Sequence, residues 1–233
     1  MQVKLTSVDR RVIGIAVAVA IVSLGISLRY FRKTFPEASL DLRVNRGDSE
    51  SIALKFLSDR GLPLDRYHHT VIFSYNDYAK LYLERTLGLE RLNILTEGQV
   101  HLWRWSHRWF RPQQQEEFGV DVAPTGQVVR FNHVIPEGQA GKDLDIASAR
   151  QIAETFLTQT MGRDLSDLEL LESQSNKRPA RTDHVFTWKQ KSVSLGDGSQ
   201  RISVWISGGD VSGYSEFVQI PEGWSRCVCK NPI

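Results

Sequence analysis

The chain has 233 residues, 41% hydrophobic and 24% charged, which is ordinary for a packed globular protein. Its 29 basic and 27 acidic residues leave a net charge of +2, excluding the concentrated basic excess of a dedicated nucleic-acid surface. Cys227 and Cys229, the only cysteines, are one residue apart, too close for an ordinary disulfide and without a second pair to complete a tetrahedral metal site.

The first predicted element is apolar. Val12–Leu28 carries no charged side chain over seventeen positions and is flanked by Arg10 and Arg11 before it and by Arg29, Arg32 and Lys33 after it. At about 1.5 Å per residue it spans roughly 26 Å as a helix, close to the thickness of a thin bilayer. An uncleaved anchor is the expectation. A signal peptide is the competing reading, but Ser27-Leu-Arg-Tyr30 lacks a small-x-small cleavage site; a buried core helix is the third. Lys4, Arg10 and Arg11 balance Arg29, Arg32 and Lys33, so charge does not fix the orientation. The expected layout is a cytoplasmic tail and anchor over 1–34, crossing the cell membrane once, and a tether over 35–47. Pro36 is expected to keep Phe35–Leu40 extended, and the soluble part is expected on the extracytoplasmic side.

Beyond the tether the sequence repeats. Ser51-Ile-Ala-Leu-Lys-Phe-Leu57 recurs as Gln151-Ile-Ala-Glu-Thr-Phe-Leu157 one hundred positions later. Each copy sets a helical stripe: Ile52, Ala53, Phe56 and Leu57, then Ile152, Ala153, Phe156 and Leu157. Asp48 or Ser49 caps the first helix; Ser148, Asp143 or Asp145 caps the second; Gly61 and Gly162 end them. His101-Leu-Trp-Arg-Trp105 matches His184-Val-Phe-Thr-Trp188. Phe118–Val122 matches Ile202–Ile206 as alternating strands with Gly-containing turns, Val128–Phe131 matches Val211–Tyr214, and Ile-Pro-Glu-Gly closes both at 135–138 and 220–223. The expected fold class is α+β: two units, 48–138 and 139–226, each a helix on about three antiparallel strands, joined near Gly138–Gly141. Asn76–Gly88 is an inserted helix in the first unit, with Tyr78, Leu81, Tyr82 and Arg85 at helical spacing. The second unit has loop-like Ser173–Pro179 nearby, and 227–233 is an irregular or truncated tail.

Few residues invite chemistry. His101/His184 and Trp105/Trp188 recur at matched places and are read as scaffold. His68, His69, His107 and His133 lack metal-ligand spacing. Arg108, Trp109, Phe110 and Arg111 are candidate peptide or membrane contacts, set against a plainer alternation in which Trp103, Trp105 and His107 face the core and Arg104, Ser106 and Arg108 face solvent. Glu116-Glu117 reads as a solvated pair. Nucleotide-binding glycine motifs and the G-x-S-x-G elbow are absent, so no catalytic, cofactor or metal residue is assigned.

One anchor, the duplicated unit and the strings Arg178-Pro-Ala-Arg-Thr-Asp-His184, Phe186-Thr-Trp188 and Val218-Gln-Ile-Pro-Glu-Gly-Trp224 resemble the N-terminal region of certain bacterial CPBP (CAAX protease and bacteriocin-processing) intramembrane metalloproteases. Each half resembles a PepSY-like module. The resemblance implies an accessory role, sensory or peptide-presenting, with lipid, a peptide or protein substrate and a C-terminal protease domain as partners. That family's Glu-Glu-x-x-x-Arg and paired-histidine motifs are missing: Glu116-Glu117 is followed by Phe-Gly-Val-Asp. The chain ends nine residues after Trp224 with no second apolar segment, so the expectation is a fragment or a frame-shifted terminus. The alternative is a free-standing anchored peptide-binding or protease-inhibitory module.

Overall fold

The structure is a computed structural model and describes residues 6–34 and 42–224; the tether residues 35–41 and the tail with Cys227 and Cys229 lie outside the described residues. The chain divides into an N-terminal unit, Met1–Leu40, and a second unit, Asp41–Ile233.

The N-terminal unit is one helix, α1 (Ser7–Thr34). Its start is held by Thr6, whose hydroxyl accepts from the Asp9 amide while the Asp9 carboxylate accepts from the Thr6 amide and hydroxyl. Ser7–Tyr30 has a mean hydropathy of 2.3 over its most apolar window and is long and apolar enough to cross a membrane.

The second unit opens with α2 (Arg46–Asp59). Its cap is Asn45 rather than the expected Asp48 or Ser49. The Asn45 side chain accepts from the amides of Gly47 at 2.8 Å and Asp48 at 3.0 Å, and the Asp48 carboxylate reaches back to the Asn45 amide. The helix therefore starts a turn earlier, which turns Ser49 inward. At its end Gly61 takes φ +68, the left-handed conformation that glycine adopts without a Cβ clash. Strand β1 (His68–Tyr75) follows, then α3 (Asp77–Leu87) with Asn76 as cap and Gly88 as stop, matching the expected insertion. A further helix, α4 (Leu89–Thr96), was not expected. Strands β2 (Trp103–Phe110), β3 (Glu117–Val122) and β4 (Val128–Val134) complete the first half.

The second half repeats the plan. Asp145 caps α5 (Ile146–Thr155), which widens into a π-helical turn over Phe156–Thr160 before Gly162 ends it at φ +63. Four strands follow: β5 (Leu168–Lys177), β6 (Thr182–Leu195), β7 (Gly198–Ser207) and β8 (Asp210–Gln219). Each half thus has four strands rather than three. The unrecognised ones are β1 and β5, and β5 absorbs Ser173–Lys177, expected as loop.

All eight strands form one antiparallel sheet in the order β1-β2-β3-β4-β8-β7-β6-β5. The order reads the same from either edge, with each half contributing four strands and the halves meeting where Arg130–Asn132 pairs with Gly213–Ser215. Helix α2 packs on β2 and β3, and α5 on β6, β7 and β8. The expected stripes are the ones buried: Ala53 and Leu57, and Ala153, Phe156 and Leu157, lie in one core with Phe118, Val120, Phe131, Phe186, Ile202, Val204 and Tyr214. The insertion braces the other half, because fully buried Tyr82 donates to the Leu195 carbonyl and accepts from the Gly198 amide, both at 2.8 Å.

Strand register corrects the internal alignment. Trp109 pairs with Phe118, and Trp188 pairs with Ile202, the counterpart of Phe118. Trp188 therefore corresponds to Trp109, not Trp105, and His184 corresponds to Trp105 rather than His101. A slip of four residues preserves which face each side chain occupies, so the alternating pattern alone could not reveal it.

Candidate functional site

Strand β2 alternates as expected, and the alternation extends to Trp109. Trp103, His107 and Trp109 are buried and Arg108 is exposed. Trp109, at 3% exposure, belongs to the core, so among the candidate contacts it is a scaffold residue. Arg108 binds Glu117 through Nε at 2.9 Å and lies 5.0 Å from the Phe110 ring. Arg111 donates to Glu116 at 3.0 Å and covers the Tyr67 ring at 4.4 Å. Glu116 is accordingly not a free carboxylate in a turn. It also accepts from the Tyr67 hydroxyl at 2.8 Å and meets His133 Nε2 at 3.0 Å, and the His133 hydrogen bond leads the interactions that hold its pKa below the ordinary glutamate value. Burial and the Glu116 contact raise the Tyr67 hydroxyl.

His101 and His184 both serve as polar anchors, at places that are not equivalent. His184 meets Ser175 Oγ at 2.8 Å and the Leu144 carbonyl at 3.0 Å. His101 Nδ1 lies 3.3 Å from buried Glu216, which also binds Arg163 and accepts from Tyr214. Burial pushes Glu216 up, but His101 and Arg163 hold it, on balance, below its ordinary value. The cluster ties the segment before β2 and the segment after α5 to β8.

A second polar chain lies under the β1–β2 pair. His69 Nδ1 is 3.3 Å from Glu50, His69 Nε2 is 3.0 Å from His107 Nδ1, and His107 Nε2 is 3.0 Å from Ser49 Oγ. The imidazoles lie nearly parallel at 5.3 Å between centroids, and the His69 ring lies 4.6 Å from Trp109. Serine, histidine and carboxylate in series suggest a nucleophile with its base. Ser49 is 0% exposed, so no substrate reaches its oxygen, and we assign it no catalytic role. Burial first, then His69 and Arg46, lower the His107 pKa to about 4. Sequence reasoning missed this chain because its members come from three separate elements. Among the described residues there is no group of three or more His, Cys, Asp or Glu placed to hold a metal ion.

The two sheet edges differ. Among the described residues β1 pairs with β2 alone and β5 with β6 alone. Strand β5 carries Glu169, Glu172 and Lys177 and a register shift between Leu170 and Glu172, the charges and irregularity that blunt an edge. Strand β1, His-His-Thr-Val-Ile-Phe-Ser-Tyr, has no acid, lysine, arginine or bulge. It exposes Ile72 at 63%, Tyr75 at 44% and Phe73 at 40%. Beside it on the helix-free face is an open cleft of about 380 Å³, lined by Thr70, Ile72, Ser106, Asp121, Arg130 and Asn132. Burial raises the Asp121 pKa against the pull of Arg104, 3.2 Å away.

No protein-family model matches the chain, and no curated protein matches it. Among solved structures, it is similar to the Bacillus megaterium YpeB C-terminal domain at 14% identity and a TM-score of 0.42, over 74% of this chain and 62% of that one. The chain thus spans less than two thirds of that structure.

Proposed function

We propose that the chain is a membrane-anchored, extracytoplasmic accessory module, built of two PepSY-like units, that captures an extended peptide by adding it as a strand to the β1 edge and performs no bond-breaking itself. The observation that carries this reading is the contrast between the two edges, since a straight, partly apolar edge without acid, lysine or arginine offers unpaired backbone groups that a peptide strand satisfies. Phe110 and Arg108, at the His68 end of β1, extend the contact surface; the His68 and Phe110 rings are 5.8 Å apart. The apolar helix supports the membrane attachment.

The test uses the full chain in detergent micelles with a fluorescent peptide selected from an extended, alternating library. Ile72→Lys, which plants a charge on the edge, is expected to weaken binding by roughly tenfold or more, while Leu171→Lys on β5 leaves it unchanged. Equal loss in both variants, or no binding peptide at all, would overturn the reading.

The strings at 178–184, 186–188 and 218–224 support a finer version, in which captured peptide is presented to a CPBP-type metalloprotease whose catalytic helices lie outside this sequence. The reading frame following this sequence in the genome discriminates: apolar segments with acidic and histidine motifs favour it, and an unrelated gene favours the free-standing module.

A further inference from the structure

Hydrogen-bond bookkeeping along the Ser49–His107–His69 chain fixes which nitrogens donate, and Glu50 stands at its far end. The Ser49 hydroxyl has one proton, and it is donated to the Arg46 carbonyl at 2.8 Å. At the 3.0 Å contact between Ser49 Oγ and His107 Nε2 the imidazole must therefore donate. Neutral His107 then presents a lone pair at Nδ1, so His69 donates to it from Nε2. The other His69 nitrogen, Nδ1, lies 3.3 Å from the Glu50 carboxylate, an ion-pair distance at which the negative charge favours a proton on that nitrogen. With protons on both nitrogens His69 donates to His107 and forms an ion pair with Glu50; neutral His69 keeps the bond to His107 and turns a lone pair toward the carboxylate.

The sister half shows that this place in the fold requires no polar group. Ser49 corresponds to Ala149 through the matched helices. His69, opposite Trp109, corresponds to Leu170, opposite Trp188, and His107, opposite Val120, corresponds to Phe186, opposite Val204. Ala149 and Phe186 are fully buried and Leu170 packs against the same core. Hydrocarbon does the packing in one half, and a proton-carrying chain replaces it in the other, on the unguarded edge strand.

We propose that His69 is the proton-binding element of an acid-responsive clamp that fixes edge strand β1 to α2 and β2, and that peptide capture at that edge is thereby strengthened in mild acid. The second part rests on the edge-docking reading of the preceding subsection. The groups facing the pair are Glu50, Ser49 and Arg46 from α2 and Trp109 from β2, with apolar Val120 beside His107 on β3. Glu50 is the only anion among them. Protonated His69 gains it as a partner, whereas a second proton on His107 would set two cations 3.0 Å apart in a buried site. The clamp is complete with one proton and broken with two.

The side-chain nitrogen and hydrogen resonances of the full chain in micelles test the clamp at about pH 5.5, below the ordinary histidine value. The expected result is a His69 with both nitrogens protonated and a His107 bearing hydrogen on Nε2 alone. A singly protonated His69, or His107 in the Nδ1–H form, would overturn it. Peptide affinity is expected to rise about threefold from about pH 8 to about pH 5.5. The triple variant Ser49→Ala, His69→Leu and His107→Phe, which installs the sister half's residues, should give a flat profile. A triple variant that keeps the wild-type profile contradicts the clamp. Should that variant fail to fold, Glu50→Gln serves, because it removes the anion 3.3 Å from His69 Nδ1: the rise in peptide affinity must then shrink, and an unchanged rise contradicts the proposal. Failure of wild type to bind peptide at any pH overturns the edge reading instead, while the resonances still decide the clamp.

Discussion

In the second half of the sheet Ala149, Leu170 and Phe186 fill the place that Ser49, His69 and His107 fill in the first. The helix-free face diverges at equivalent positions as well. Trp205 pairs with Gly213 and lies over it so closely that an added Cβ would meet the indole at 2.9 Å, whereas the first half pairs Asp121 with Arg130 at the same place. The edges complete the pattern, with charges on β5 and none on β1 apart from its histidines. Two copies of one backbone plan separate what the fold needs from what one half has added. The shared part is the helix stripe and the paired core tryptophans; the added part is polar and gathers around β1.

The comparison can be broken first at the core. Trp109→Ala and Trp188→Ala should each cost about 3–5 kcal/mol in denaturant unfolding if the two indoles are true counterparts. A tolerated Trp109→Ala would restore it to the surface and undo the corrected alignment.

Acid should next separate the halves. His107 is neutral in the folded protein down to about pH 4 but binds a proton in the unfolded chain below the ordinary histidine value of 6.5. Its folded pKa is the lower one, so the unfolded state holds more protons in that window. Stability is present above pH 6.5 and is lost as pH falls toward about 4, by an amount on the order of 2–3 kcal/mol. Melting curves of wild type against His107→Phe measure it, and parallel acid profiles would remove His107 from the account.

Smaller effects sharpen the contrast on the helix-free face. Gly213→Ala must displace the Trp205 ring and is expected to destabilise by about 1–2 kcal/mol, whereas Arg130→Ala at the matching place should be nearly neutral in thermal melts. A loss of about 1 kcal/mol is expected at the first helix start, where Asn45→Ala removes both side-chain cap bonds.

The helices were the legible part of the sequence. Ile52, Ala53, Phe56 and Leu57 and their copies recur with helical spacing, and Gly61 and Gly162 stop both helices at positive φ. Strand β5 was hidden because its edge charges make Leu-Glu-Leu-Leu-Glu-Ser-Gln-Ser-Asn-Lys look like loop, and β1 because both its faces are partly exposed. The register of β2 against β6 was misread because Trp105 and Trp109 share a face, so two alignments satisfy the same period of two. The histidine chain was beyond reach, since its contacts span 38 and 58 positions and only the folded sheet brings them together. The candidate surface was half legible: Arg108 and Phe110 flank β1, but Trp109 between them points into the core.

The most direct test of an unguarded edge is amide hydrogen exchange on the full chain with and without a bound extended peptide. Slowed exchange confined to 68–75 is the outcome expected here; protection of 168–177 instead, or of neither strand, would contradict the claim that the first half carries the docking edge.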